Sequence, residues 1–481
     1  MKKIIKTLFA VVMVLVFANS VCAATPNGSI TISGTTDGKT YGLYRIFDAT
    51  IAGTGDSAKV SYTINSKWTA FFDGVGAEYI VASNNDKGTL STIVVGGKLK
   101  YINITESNRA AFAKAAQDYT KGIDADREVT VTSTSTVVDG LEYGYYLVFP
   151  YGATEVINPN ASIVSLTTTK PSATVNVKAT YPTITKVAND TSVEVGQVVT
   201  YTIEGSVPDT TGYVSYIYRV SDVMTSGLTF NKDVTVTING VSYTNVTVDY
   251  TTVSNGFVLN INGLVGNTNI AVGAPIVITY TATVNEAAIN RVETNKAKLE
   301  YSNNPKTNEL GKTPDIEVVV YSTKITVTKV DGTDSSVKLA GAKFRLLNSD
   351  KTKYYVATIT DGKLVVSWTE TASNATVYTT DTNGVVEFKG LEDGTYYLEE
   401  TEAPEGYNKL TEMVEVRINR STVNVDSTIT ATNTEVANYS GTTLPETGGM
   451  GTKLFVIIGT MMALVAGIVM VTNKRMAKEE I

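Results

Sequence analysis

Residues Ser322 to Gly332 read "STKITVTKVDG". In an extended chain successive side chains point to opposite sides, so Ile325, Val327 and Lys329 share one face while Thr326 and Thr328 share the other. β-Branched residues suit a pleated surface, and Asp-Gly closes the run as a turn. The same grammar recurs in "GSITISG" (28–34) and "GQVVTYTIEG" (196–205). Short runs of Val, Thr, Ile and Tyr separated by Gly, Asn and Asp predict an all-β chain of antiparallel, immunoglobulin-like sandwiches. With 481 residues, several such sandwiches fit in tandem. The expected division is 25–178, 179–320 and 321–436. One helix is predicted, "ESNRAAFAKAAQDYT" (Glu106 to Thr120), with Thr105 as its cap.

The two ends carry different signals. A Lys-rich start, an apolar run from Leu8 to Phe17 and small residues near Ala23 predict a secretory signal peptide over 1–24. At the other end, Leu454 to Val471 contains no charge, and Lys474, Arg475 and Lys478 follow. That pattern predicts a transmembrane helix over 454–473 with a cytoplasmic basic tail, 474–481. A linker, 437–453, precedes it and holds Leu444, Pro445, Glu446, Thr447 and Gly448. A membrane anchor alone needs no such motif.

Composition excludes much chemistry. The chain has no histidine, which removes Ser-His-Asp and Cys-His nucleophile pairs and His-ligated metals. No cofactor or metal is expected. A formal charge of −7 argues against a nucleic-acid partner. The one cysteine, Cys22, lies within the signal peptide. An exported protein without disulfides lacks the usual covalent stabiliser of that compartment.

Alternation places charged groups on apolar faces at several points. Lys186 shares a face with Ile184, and Asp222 with Tyr216, Tyr218 and Val220. Asn303 shares one with Ala297, Leu299 and Tyr301, and the neighbouring Asn304 is the alternative. Further on, Lys329 follows Ile325 and Val327, Glu400 follows Tyr396 and Leu398, and Asn433 follows Ile429 and Ala431. A buried lysine is driven neutral and becomes nucleophilic, and a buried carboxyl holds its proton. Together with an asparagine they can form an amide between the two side chains with loss of ammonia. The alternative is that Lys186 and Lys329 extend to solvent and that Asp222 and Glu400 are ordinary ion partners.

The ordered set of LPETG, apolar span and basic tail resembles the cell-wall sorting signal of Gram-positive bacteria. That resemblance implies a sortase that attacks the carbonyl of Thr447 and releases Gly448 onward. "LEETEAPEGY" (398–407), with "KITVTKVDG" and "ITATNT", resembles a Cna B-type domain. It implies an isopeptide bond between Lys329 and Asn433 promoted by Glu400. The second domain resembles the middle domain of sortase-assembled major pilins, which implies Lys186, Asn303 and Asp222 in the same roles. The first domain departs from the pattern, with no lysine in "SITISGT" and Val148 and Phe149 where the acid would stand.

In that family a lysine at the junction of the first two domains accepts the next subunit's threonine, in a motif ending Tyr-Pro-Lys. Here "SATVNVKATYPTITKV" (172–187) has Thr183 after Tyr181 and Pro182, so the motif is degenerate. Lys178 is the expected acceptor and Lys170 the second choice. The implied partners are a pilin-class sortase, identical subunits, accessory pilins and peptidoglycan, with membrane contact only in the precursor. A monomeric wall-anchored adhesin or tip pilin is the competing expectation.

Overall fold

The computed structural model describes residues 27–53, 58–83, 91–210, 213–305, 307–420, 423–441 and 450–476. The expected signal peptide, 1–24, and Leu444 to Gly448 lie outside the described residues.

Among the described residues, the first part of the chain forms two main sheets around two apolar cores, and Glu155–Val156 pairs with Ala179–Thr180 in a short ribbon at its end. Gly28–Ser33 lies between Ser135–Leu141 and Ser172–Asn176, antiparallel to the first and parallel to the second. The larger sheet is built on Thr40–Ala52, which pairs with Lys59–Ile64, Arg127–Thr130 and Gly144–Pro150. Ile30, Ile32, Leu43 and Val148 fill one core. Trp68, Phe71, Phe112 and Leu147 fill the other. The helix runs Arg109–Thr120, three residues shorter than expected. Asn108 rather than Thr105 precedes it, because the Asn108 side chain turns back, accepting from Thr105 N and donating to Asn103 O.

The middle part is a sandwich. One sheet has Thr185–Ala188 at its edge, then Val198–Ser206 and Pro275–Val284. The facing sheet holds Gly256–Ile261, Tyr218–Met224 and Arg291–Ser302. Ile316–Asp331 then runs sixteen residues without a break. Its first half pairs with Arg291–Ser302, and its second half pairs with Val385–Leu391 and, in parallel, with Thr432–Asn438. The boundary expected between 320 and 321 therefore falls inside one strand. A facing sheet of Lys343–Leu347, Gly394–Glu402 and Val414–Ile418 completes the last sandwich.

Apolar residues from Ile184 to Val436 form one continuous core through both of these sandwiches. The C-terminal helix, Met450–Met476, stands apart: Phe455–Arg475 has a mean hydropathy of 2.4 and none of its most apolar stretch is buried. It is long and apolar enough to cross a bilayer.

Candidate crosslinking sites and sorting signal

Lys186 sits in the edge strand Thr185–Ala188, in register with Ile203, and its side chain enters the middle sandwich. Asp222 and Asn295 reach it from the opposite sheet. In that sheet Asp222 lies opposite Ala297 and Met224 opposite Asn295, so the carboxyl and the amide are diagonal neighbours on one face. Lys186 Nζ donates to Asp222 Oδ2 at 2.6 Å and to Asn295 Oδ1 at 2.5 Å. Asp222 and Asn295 are 0% exposed and Lys186 is 6%.

The surroundings are aromatic. Lys186 Nζ lies 5.6 Å from the ring centroid of Tyr201 and 5.8 Å from that of Tyr280. Tyr280 Oη donates to Asp222 Oδ2 at 2.6 Å and accepts from Asn295 Nδ2 at 3.2 Å. Burial pushes the Lys186 ammonium down to about 8, against the opposing pull of Asp222. Burial also raises the Asp222 carboxyl, which Lys186 and Tyr280 partly offset. Asp222 Oδ1 has no hydrogen-bond partner. A buried ion pair with an orphaned acceptor is costly, and replacing it by a neutral group relieves that cost.

A second cluster occupies the last sandwich with different geometry. Lys329 is 0% exposed in the long strand, and Val436 and Asn438 lie on the adjacent parallel strand. Glu400 comes from the facing sheet, 2% exposed. Lys329 Nζ donates to Val436 O at 3.0 Å and lies 3.7 Å from Glu400 Oε1. Asn438 Nδ2 donates to Glu400 Oε2 at 2.9 Å and also to Asn408 O. Asn438 Oδ1 and Glu400 Oε1 are left without hydrogen bonds. Burial holds Lys329 down to about 8, with Glu400 opposing.

The expected lysines and acids are thus brought together, but both expected asparagines lie elsewhere. Asn303 is eight residues beyond Asn295 along the same face, about 27 Å in an extended strand. It is buried against Gly152 of the first part of the chain, with its backbone N–H on Glu309 O. Asn304 is buried beside it and its carbonyl accepts from Thr307. Asn433 is exposed, opposite Thr326 on the outer face of the sheet. The strand continues to Asn438, two residues into the expected linker, and its inward positions are Val436 and Asn438. The signal for Asn295 was present, since it heads the run "NKAKLEYSNN" on the same face as Leu299 and Tyr301. For Asn438 the signal was Val436, two residues before it.

Among the described residues of the first part, no lysine or carboxylate is among the fully buried groups. Lys178 is exposed at the end of Ser172–Asn176, with its carbonyl accepting from Ile157 N at 2.9 Å. Its stem passes over Gly34, whose φ of +71° and lack of a Cβ leave room for it. Lys170 is exposed in the turn Thr167–Lys170.

Residues 323–434 match the prealbumin-like fold domain family SpaA, and residues 437–478 match the LPXTG cell wall anchor motif. The trypsin-resistant surface T6 protein of Streptococcus pyogenes serotype M6 is 27% identical over 297 residues. The chain carries a cell wall anchor motif and is similar to pilin surface proteins.

The alignment to the T6 protein takes in 55% of this pilin-like chain and 50% of the relative, so it spans about half of that protein's length. Among solved structures, the pilus 2b backbone protein of group B streptococcus is 27% identical with a TM-score of 0.43, covering 54% of this chain and 99% of that one. The major pilin SpaD of Corynebacterium diphtheriae is 19% identical with a TM-score of 0.49, covering 86% and 98%. The T6 backbone pilin of Streptococcus pyogenes serotype M6 is 21% identical with a TM-score of 0.46, covering 82% and 80%.

Proposed function

We propose that this chain is the backbone subunit of a covalent surface fibre. A sortase cleaves after Thr447 and joins its carbonyl to Lys178 of the next subunit, and the finished fibre is anchored to the wall. The subunit comprises three modules divided near 178 and 320, the third extending to Asn438. Two internal isopeptide bonds reinforce it, Lys186 to Asn295 promoted by Asp222, and Lys329 to Asn438 promoted by Glu400.

The observation that carries the internal bonds is the fully buried trio of Lys186, Asp222 and Asn295 at 2.5 and 2.6 Å. Proton transfer from the ammonium to the carboxylate leaves a neutral amine against the Asn295 amide, whose oxygen it already contacts. Attack forms the new C–N bond, and the old one breaks to release ammonia. Each bond would close a loop of 109 residues. Such a constraint is worth about 4–5 kcal/mol by the loop-entropy argument used for disulfides. This supplies the covalent stabilisation that the missing cysteines leave open.

Intact-mass measurement tests the bonds. The mature subunit should be lighter than its sequence by two ammonias. Asn295→Ala and Asn438→Ala should each restore one, while Asn303→Ala and Asn433→Ala change nothing further. An unshifted mass would rule both bonds out. Wall extracts should show a ladder of detergent-resistant species that disappears with Lys178→Ala. A ladder that persists moves the junction to another lysine, Lys170 first, and the lack of any ladder favours a monomeric adhesin.

A further inference from the structure

The two clusters solve one problem differently. Forming the amide requires a proton on the departing asparagine nitrogen, because an amide ion does not leave. In the last module Glu400 Oε2 touches that nitrogen directly, 2.9 Å from Asn438 Nδ2. In the middle module the acid is Asp222, one methylene shorter, and its oxygens make no hydrogen bond to Asn295 Nδ2. The Tyr280 hydroxyl fills that gap, 2.6 Å from Asp222 Oδ2 and 3.2 Å from Asn295 Nδ2.

The geometry points to Tyr280 as a catalytic residue that relays a proton from Asp222 to the departing nitrogen of Asn295. Its ring is held for the task, stacked on Tyr201 at 5.6 Å and edge-on to Phe257 at 4.9 Å. This role rests on the Lys186–Asn295 bond proposed above.

The step balances as follows. Lys186 passes one proton to Asp222, and its free amine attacks Asn295 Cγ, with the carbonyl electron pair moving to Oδ1. Tyr280 gives its hydroxyl proton to the former amide nitrogen and takes the Asp222 proton in return. The Asp222 carboxylate then removes the extra proton from the attacking nitrogen. Collapse of the carbonyl breaks the old C–N bond, leaving one amide, one ammonia and Tyr280 and Asp222 both protonated. Nothing is oxidised or reduced.

The test follows the crosslinked peptides in the full chain at successive times after synthesis, with Lys329–Asn438 as an internal control. Tyr280→Phe should slow the Lys186–Asn295 bond about a hundredfold, the lower range for a lost general acid, and leave the control unchanged. Adding Asp222→Glu to Tyr280→Phe should recover much of that rate, since the longer acid reaches the nitrogen directly, as Glu400 does. Equal rates in wild type and Tyr280→Phe overturn the relay. So does a slowing matched by loss of folded middle module when Tyr280→Phe is placed in the uncrosslinkable Asn295→Ala chain, which reports ring packing alone. Absence of the Lys186–Asn295 peptide from wild type overturns the bond itself.

Discussion

At the scale of residues, an ammonium and a carboxylate in the dry centre of a sandwich behave as one titrating unit with a shared proton. Only the singly protonated pair can offer both a free amine and an acid. Burial raises Asp222, so a second proton arrives above the ordinary aspartate range and leaves an ammonium beside a neutral acid. Burial lowers Lys186 to about 8, so above that pH the shared proton is lost and the acid with it. The rate of bond formation in freshly folded chains should therefore plateau between these limits and fall about tenfold per pH unit outside them. Time-resolved mass at graded pH checks this, and a rate still climbing well above pH 8 would show that the amine acts without the acid. Lys186, Asp222, Lys329 and Glu400 were legible because a charge on an apolar face is conspicuous. The asparagines were not, because several share each face and only the register between distant strands selects one.

Among elements, the joint between the last two modules is tied by backbone and side-chain hydrogen bonds. Val193 N donates to Tyr321 O, Val195 N to Gly390 O and Val366 N to Val195 O. Between these ties Trp368 Nε1 donates to both oxygens of Glu194, at 2.8 and 3.0 Å. Burial raises Glu194, and Trp368 holds it down. In the Asn295→Ala, Asn438→Ala chain, Trp368→Phe should cost about 1.5–3 kcal/mol at neutral pH, the range for a hydrogen bond to a charged group. Without the indole N–H the folded-state value of Glu194 climbs further above the unfolded one. The extra cost is then fully present above that value and fades as acid protonates Glu194 in both states. Denaturant titrations at neutral and acid pH check this, and a deficit independent of pH would assign it to lost ring packing. The strands here were legible from their alternation. The continuity of Ile316–Asp331 was not, because no turn residue marks a boundary that falls within a strand.

For the whole molecule, the positions of the proposed bonds decide how the fibre carries tension. With those bonds in place, the covalent route through each subunit would enter at Lys178, cross from Lys186 to Asn295, follow the chain through Ile316–Asp331 to Lys329, cross to Asn438 and leave at Thr447. Single-molecule pulling between the two junctions should release neither 109-residue loop, and in the last two modules only the hairpin that pairs Asn295 with Val318 can add length. Asn295→Ala should release a step of at most roughly 390 Å from the 109 residues set free. A step of that size in wild type would mean that the loop is open. Lys178 stands at the far end of the first module's last long strand, Ser172–Asn176, which gives its place a further consequence. The backbone before it, from Gly28 to Val177, branches off the loaded chain as a pendant. With the junction at Lys178, that module would bear no tension however hard the fibre is drawn, and its cores alone would suffice to hold it.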